Sequence, residues 1–248
     1  QNFMSTSARP GDPTAWTPAA PVPVRAPDGT SVGHCGDGYR THGLELERGP
    51  HSGRLIFPRF GYNSQCSFNA TVRARTNGPK PPLHPYAIFS DDQGATFSKG
   101  EELSSEDADL VWDENTLTEM ANGSVLMSVR IDDTKNTDRK HPDTNATRRG
   151  TSRGFARSDD GGATWAQRWL LWERQPEIPD SPCSDPLIYS NKTGAMYWGH
   201  PGEWSDPATG PTPDKGLRAN YTLLRSLDQG ASWEFLQVVF AAGSGYSD

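Results

Sequence analysis

One eight-residue pattern occurs three times along this chain at a constant spacing. Residues 90–97, 158–165 and 226–233 all read Ser-x-Asp-x-Gly-x-(Thr/Ser)-(Trp/Phe), and successive copies begin 68 residues apart. We name these segments repeat turns 1, 2 and 3. A fixed period of this length predicts stacked supersecondary units, each too small to bury its own apolar face alone.

Each repeat turn has the chemistry of a hairpin tip. The Ser and Asp side chains can hydrogen-bond backbone groups of a tight turn, the Gly supplies a positive φ, and the closing aromatic side chain packs under a neighbouring sheet. Short extended stretches precede the copies at residues 86–89, 154–157 and 221–225, and residues 235–240 follow the third. The pattern therefore predicts strand, turn, strand in each unit.

The repeat turns resemble the Asp-box (BNR) repeat of sialidase-type β-propellers, in which the box joins the last two strands of a blade. The resemblance implies an all-β fold, a six-bladed sialidase-type propeller. At one blade per repeat, 248 residues hold about three to four blades, so we expect an incomplete propeller. We expect residues 31–248 to form the blades, and the Pro-rich residues 1–30 to be irregular or the tail of a truncated blade.

Composition excludes several classes of function. The net charge is −7 and the basic residues are scattered, which disfavours nucleic acid as a partner. No apolar run reaches the ~18 residues of a transmembrane helix. Three cysteines without a Cys-x-x-Cys spacing allow at most one disulfide, and His34, Cys35 and His42 lack the spacing of metal ligands. With no nucleotide-binding motif present, we expect no metal and no cofactor.

Five Asn-x-Ser/Thr sequons favour the secretory route. They begin at Asn69, Asn122, Asn145, Asn191 and Asn220. Such sequons are N-glycosylation acceptors in secreted proteins. We therefore expect a secreted or lysosomal protein.

The segment between repeat turns 1 and 2 contains the first candidate site residues. Residues 114–130 resemble the sialidase stretch that reads roughly Glu-(x)4-Glu-Leu-x-Asp-Gly-x-Leu-Leu-x-Asn-x-Arg. By that resemblance, Glu119 is expected to activate the nucleophile, and Arg130 to be one of three arginines that bind the substrate carboxylate. Alternation places Glu119 before a turn and Arg130 at the end of the returning strand, with both facing one channel. The alternative is a surface Glu and Arg beside an ordinary hairpin.

Three further candidates follow from the same resemblance. Arg218 matches the arginine that opens the strand leading into an Asp box, and would be the second arginine of the triad. Tyr246, in Gly-Ser-Gly-Tyr-Ser-Asp, matches the sialidase nucleophile. Tyr62 matches an aromatic position that lines the sugar pocket. Alternatively, Arg218 caps an edge strand and Tyr246 is an ordinary turn residue.

A tyrosine nucleophile has a physical reason in this family. The anomeric carbon of a sialic acid carries its own carboxylate, which would repel an approaching Asp or Glu, whereas a phenol is neutral. A phenol needs a base in contact, the role implied for Glu119, and sialidases with a Tyr nucleophile are a known exception to the two-carboxylate scheme. The resemblance implies a retaining exo-α-sialidase, a glycoside hydrolase whose substrates are sialylated glycoproteins, gangliosides and oligosaccharides.

Two parts of the family pattern have no match here. The Arg-Ile-Pro segment with the first triad arginine, and the aspartate that follows it as general acid, are not found in the sequence. We therefore expect this chain to catalyse poorly by itself. Two alternatives stay open: a non-catalytic propeller that binds glycans or protein partners, and a related hydrolase acting on another 2-keto acid sugar.

Overall fold

The structure is a computed structural model. It describes residues 2–5, 7, 9, 11–12, 14–29, 42–62, 83–104, 110–133, 138–140, 147–149, 151–178, 185–202 and 219–243. None of the helices in these ranges is long and apolar enough to cross a membrane.

The first part of the chain forms a short hairpin and a five-stranded sheet. Strands β1 (Asn2–Met4) and β2 (Ala20–Val22) pair with each other. The strands of sheet 1 are β3 (Val24–Arg25), β4 (Leu44–Glu45), β5 (Leu55–Tyr62), β6 (Leu83–Ser90) and β7 (Phe97–Lys99), with a 3₁₀ turn at Gly49–His51. The sheet has the order β3-β7-β6-β5-β4, and only β3 runs parallel to its neighbour.

Two four-stranded antiparallel sheets follow. Sheet 2 has the order β13-β12-β9-β8, and sheet 3 has the order β14-β15-β16-β17. The strands of sheet 2 and its insertion are β8 (Leu110–Glu119), β9 (Val125–Asp133), the paired β10 (Asp138–Lys140) and β11 (Thr147–Arg149), β12 (Thr151–Ser158) and β13 (Gln167–Leu170), after which helix α1 covers Leu171–Arg174. Sheet 3 contains β14 (Leu187–Ser190), β15 (Ala195–Pro201), β16 (Ala219–Ser226) and β17 (Glu234–Gly243).

The repeat turns share one hydrogen-bond network. In repeat turn 1, the Ser90 hydroxyl donates to Asp92 at 2.7 Å and accepts from the Gly94 amide at 2.8 Å, while Thr96 donates its amide and hydroxyl to Asp92 at 2.9 and 2.6 Å. The corresponding bonds occur in the other two turns with nearly the same distances. These bonds lower the pKa of Asp92 to about 2. Each turn joins the last two strands of its sheet, as predicted.

The core lies between successive sheets. Side chains of sheets 1 and 2 form one cluster, including Leu46, Ile56 and Trp165, and those of sheets 2 and 3 form a second, including Phe155 and Trp198. Strand β9 supplies both clusters, because its side chains alternate between the two faces of the sheet. The closing tryptophans of repeat turns 2 and 3 belong to the first and second cluster respectively, as predicted.

The first thirty residues contain short strands. Residues 1–30, expected to be irregular or the tail of a truncated blade, include β1, β2 and β3, and β3 extends sheet 1. The segment between β9 and β12 also contains the short β10–β11 pair. Pairing with a distant strand orders segments whose own sequence carries no strand signal.

Candidate active site

Arg130 lies near the end of β9, on the face of sheet 2 that is turned toward sheet 3. Its neighbours Val129 and Ile131 point the other way, into the cluster between sheets 1 and 2. Leu126, an even number of residues before Arg130, packs against sheet 3. Strand alternation therefore places the guanidinium on the sheet 3 side.

Carboxylates surround the Arg130 guanidinium. Asp132 accepts from Nε at 3.0 Å and from Nη2 at 2.9 Å, a side-on bidentate pair, and Glu114 accepts from Nη1 at 3.2 Å. Burial alone would lower the pKa of Arg130, but Asp132 and Glu114 outweigh it and the pKa is raised. Among the described residues, these two carboxylates take three of the five N–H donors of the guanidinium.

Asp113 adds a third carboxyl group to this cluster. Burial, the largest cause, and the nearby charges of Asp132 and Glu114 together raise its pKa to about 6, against the attraction of Arg130. A carboxyl group with this pKa exchanges its proton close to neutral pH, which is a property of catalytic sites as well as of ion-pair networks.

A β-bulge brings Glu114 to Arg130. Trp112 pairs with Ile131 and Asn115 with Val129, so β8 has one more residue than β9 over this interval. Strict alternation from Trp112 would turn Glu114 toward sheet 1. The extra residue shifts the phase, and Glu114 instead contacts Arg130 on the sheet 3 side.

Glu119 has a different environment at the other end of the same strand. It pairs with Val125 beside the turn and shares the sheet 1 face with Leu117. Its carboxylate accepts the backbone amides of Glu47 at 2.9 Å and Arg48 at 2.8 Å, and forms an ion pair with the Arg48 guanidinium at 2.8 Å. Only 7% of Glu119 is exposed. Its contacts are those of a structural link between sheets 1 and 2.

The structure does not bring Glu119 and Arg130 together. Arg130 lies five positions along β9 from Val125, the partner of Glu119, which is about 16 Å along a strand. The two side chains also point to opposite faces of sheet 2. This corrects the expectation that both side chains face one channel. Glu119 shares a face of sheet 2 with its partner Val125, and Arg130, an odd number of positions after Val125, lies on the opposite face.

The other predicted site residues are not placed by the structure. Arg218 and Tyr246 lie outside the described residues. Tyr62 is the last residue of β5, where its backbone pairs with Leu83, and its side chain lies outside the described part.

Sequence analysis missed a buried polar layer beside Arg130. Arg153 lies opposite Arg130 in the pairing of β9 with β12, is 1% exposed, and forms an ion pair with the buried Asp185. His200 stacks on Trp198 with ring centroids 4.3 Å apart, and burial, followed by the charge of Arg153, lowers its pKa to about 3. No motif marks these residues, since they meet only through strand register.

Glu114 was also missed, although a signal existed. The family stretch to which residues 114–130 were matched contains two glutamates, and Glu114 occupies the position of the first. Hairpin register could not choose between the two, because the bulge is not visible in the sequence. The structure places Glu114 in contact with Arg130.

Comparison with known proteins gives a consistent result for the fold. No protein-family model matches the sequence, and no curated protein matches it with significance. Among solved structures, a point mutant of the NanB sialidase from Streptococcus pneumoniae matches with a TM-score of 0.57 and 18% identity, covering 94% of this chain and 27% of that protein. The same sialidase in complex with a substituted ethanesulfonate matches with a TM-score of 0.57 and 17% identity, covering 95% of this chain and 28% of that protein.

A third structure, described as NanB plus Optactamide, has a TM-score of 0.54 and 17% identity over 94% of this chain and 27% of that protein. The chain thus spans little more than a quarter of the proteins it matches. At this level of identity the likeness concerns the fold. The chain has the fold of a sialidase β-propeller, of which its three sheets form an incomplete set of blades.

Proposed function

We propose that this chain carries part of the active site of a retaining exo-α-sialidase, which removes terminal sialic acid from glycoconjugates. The observation that supports the proposal is the contact of Glu114 with Arg130, at 3.2 Å, on one face of sheet 2. It joins an acid–base group to a guanidinium of the kind that binds carboxylates in bidentate fashion.

The chemistry of the sugar explains why these two groups belong together. In a sialic acid the carboxylate is bonded directly to the anomeric carbon. The arginine that binds the carboxylate therefore lies within a few ångströms of the reacting carbon, and so must the base that activates the nucleophile. Glu114 meets this requirement and Glu119 does not, so we assign the base to Glu114.

In the proposed reaction, Arg130 and Arg218 hold the substrate carboxylate while Glu114 accepts the phenolic proton of Tyr246. The phenolate oxygen forms a bond to the anomeric carbon as the glycosidic C–O bond breaks, and the leaving oxygen takes a proton from an acid beyond these four residues. Water then gives a proton to the conjugate base of that acid and attacks the anomeric carbon, and as the tyrosyl-glycosyl bond breaks Glu114 returns its proton to the phenolate. The roles of Arg218 and Tyr246 rest on the sequence resemblance.

One observation favours a second candidate, a glycan-binding propeller without catalysis. Asp132 already occupies the Nε–Nη2 fork of Arg130. A substrate carboxylate has to use the outer Nη1–Nη2 edge or displace Asp132. A site in which Asp132 already neutralises the charge of Arg130 binds a sugar more readily than it drives bond cleavage.

The first prediction compares the two glutamates in the 248-residue chain. Hydrolysis of a fluorogenic sialoside is measured together with binding of an unsaturated sialic acid analogue by saturation-transfer NMR. We expect Glu114→Gln to lower turnover at least a hundredfold with little change in stability, because this side chain is partly exposed and, among the described residues, its carboxylate pairs with Arg130 alone. Arg130→Lys should weaken binding at least tenfold, because a lysine ammonium cannot form the bidentate contact that a guanidinium makes with a carboxylate.

Glu119→Ala is the matched control. It leaves two backbone amides and the Arg48 guanidinium without their acceptor, so we expect a loss of about 2–4 kcal/mol in the free energy of unfolding in urea. Turnover should be unchanged below its unfolding transition. Binding without turnover would select the second candidate. If the unaltered chain neither binds nor hydrolyses the sugar, or if Glu114→Gln is fully active, the sialidase proposal is refuted.

A further inference from the structure

The strand that follows each repeat turn lies at the outer side of its sheet, and the three outer sides differ. Strand β7 has three residues and pairs with β3. Strand β13 has four residues, after which the chain turns into α1 and buries Leu171. Strand β17 has ten residues, and among the described residues it pairs only with β16. Two edges are thus shortened or covered, and the third is long and open.

The side chains of β17 are apolar and exposed. Phe235 is 54% exposed, Val239 56% and Phe240 55%, with Leu236 and Val238 somewhat less. They lie on both faces of the sheet, since Phe235 pairs with the core residue Leu224, and Phe240 with Tyr221 on the opposite face. An exposed apolar face alone would suit a stacked sheet. Exposure on both faces of one edge strand suits a neighbour that continues the sheet.

Strand β17 has little of the usual protection of an open edge. Natural edge strands carry Lys or Pro, stay short, or are covered, because their unpaired N–H and C=O groups recruit other strands. The ten residues of β17 include no Lys, Arg or Pro, and their single charge, Glu234, already pairs with Arg225 at 2.6 Å. The three register shifts between β16 and β17 each place one extra residue in β17, and they are the one protection of this kind that it carries.

We propose that β17 is the interface of a homodimer, in which two copies pair antiparallel about a two-fold axis and join their third sheets edge to edge. A two-fold interface places the same surface of each copy against the other. Antiparallel pairing sets the central residues 236–239 of one copy against the same segment of its partner, so Leu236 lies opposite Val239 and Gln237 lies opposite Val238. The two Glu234 carboxylates lie at opposite ends, where like charges do not meet.

The size of the patch sets the expected affinity. Half-exposed Phe and Val side chains of this number present on the order of 500 Å² per copy, or ~1,000 Å² for the pair, which is below the usual size of a stable interface. Strand addition contributes main-chain hydrogen bonds as well. We therefore expect a reversible dimer with a dissociation constant in the micromolar range.

The second prediction is tested by sedimentation velocity of the unaltered chain from low to high micromolar concentration. We expect the weight-average mass to rise from monomer to dimer. Val239→Lys should raise the dissociation constant at least tenfold, because it brings cations to the edge and removes apolar contact. Phe240→Lys serves the same purpose should the first variant not fold, as judged by far-UV circular dichroism.

Two exposed apolar residues of the same sheet provide matched controls. Leu227→Lys changes repeat turn 3, and Ile188→Lys changes the open face of β14; both side chains are at least as exposed as Val239. Neither variant should alter the dissociation constant. Hydrogen exchange should show β17 amides gaining protection with concentration. A monomer at all concentrations, or a dimer that Ile188→Lys dissociates as strongly as Val239→Lys does, would overturn the proposal.

Discussion

At the scale of single residues, two glutamates five positions apart on β8 have opposite environments. Glu114 contacts Arg130 within a group of partly buried charges. Glu119 accepts two backbone amides and an arginine in a nearly closed setting. Arg48 also contacts Asn191 of sheet 3 and lies over the Tyr189 ring at 5.4 Å, so the Glu119 contact is part of a link among all three sheets.

The third prediction concerns Asp113, whose raised pKa of about 6 makes stability depend on pH. Between about pH 4 and pH 6 the folded chain binds more protons at this group than the unfolded chain does, so its contribution to stability falls as the pH rises through that window. Asp113→Asn removes the buried charge, and we expect it to stabilise the fold at pH 7 by on the order of 1–2 kcal/mol.

The measurement is urea unfolding of both proteins at pH 4, 5, 6 and 7. The advantage of Asp113→Asn should grow from pH 4 to 6 and then level off. An advantage that is the same at every pH would show that the carboxyl group titrates normally in the folded chain.

At the scale of elements, the repeat turns connect neighbouring sheets. The amide of Trp165 donates to Glu101 of the preceding unit at 2.9 Å, and that of Trp233 donates to Gln175 at 2.6 Å. In repeat turns 2 and 3, the glycine at the fifth position lies directly against the preceding sheet: a Cβ at Gly162 would overlap the Ile56 side chain, and one at Gly230 would lie 2.6 Å from Leu126. The conserved geometry of the turn therefore serves packing between sheets.

The fourth prediction separates that packing from backbone strain. Gly162 has φ +89° and Gly194 has φ +68°, but only Gly162 has a side chain where a Cβ would go. Gly194→Ala should cost about 1 kcal/mol, the strain of a positive φ. Gly162→Ala should cost at least 2 kcal/mol more, because it also overpacks the core between sheets 1 and 2.

Thermal or urea denaturation of the two variants gives the comparison directly. Gly162→Ala combined with Ile56→Val should recover part of the loss, because the overlapping atom is removed. Equal costs for the two alanine variants would mean that the turn glycine is required for its φ alone.

At the scale of the whole molecule, β9 connects the two core clusters. Val125, Met127, Val129 and Ile131 pack toward sheet 1, while Leu126 packs toward sheet 3. Loss of sheet 2 would expose both clusters at once. The three sheets therefore depend on one another for stability, as expected for stacked repeats that share interfaces.

The fifth prediction is a single cooperative unfolding transition. Far-UV circular dichroism reports all sheets, whereas tryptophan fluorescence is weighted toward the cluster of Trp169, Trp198 and Trp233 between sheets 2 and 3. We expect the two urea curves to coincide within error. Separate midpoints would show that sheet 1 unfolds independently of sheet 3.

The repeat pattern was sufficient to predict the strands on both sides of each repeat turn, the turn chemistry and the sialidase-type architecture. These properties depend on residues close in sequence: a Ser, an Asp and a Gly within five positions close the turn whatever surrounds it. The open outer strand of sheet 3 was also predicted as a strand, but its exposure depends on what lies next to it, and that is a tertiary property.

Which glutamate meets Arg130 was decided by tertiary structure alone. One extra residue between Trp112 and Asn115 reverses which face of sheet 2 the following side chains of β8 occupy, and no local sequence signal marks that residue. Likewise, Arg153, Asp185 and His200 come together only because strands far apart in sequence share a register. Local chemistry specifies the turns, whereas the site depends on strand phase and pairing, which are set by the packing of whole sheets.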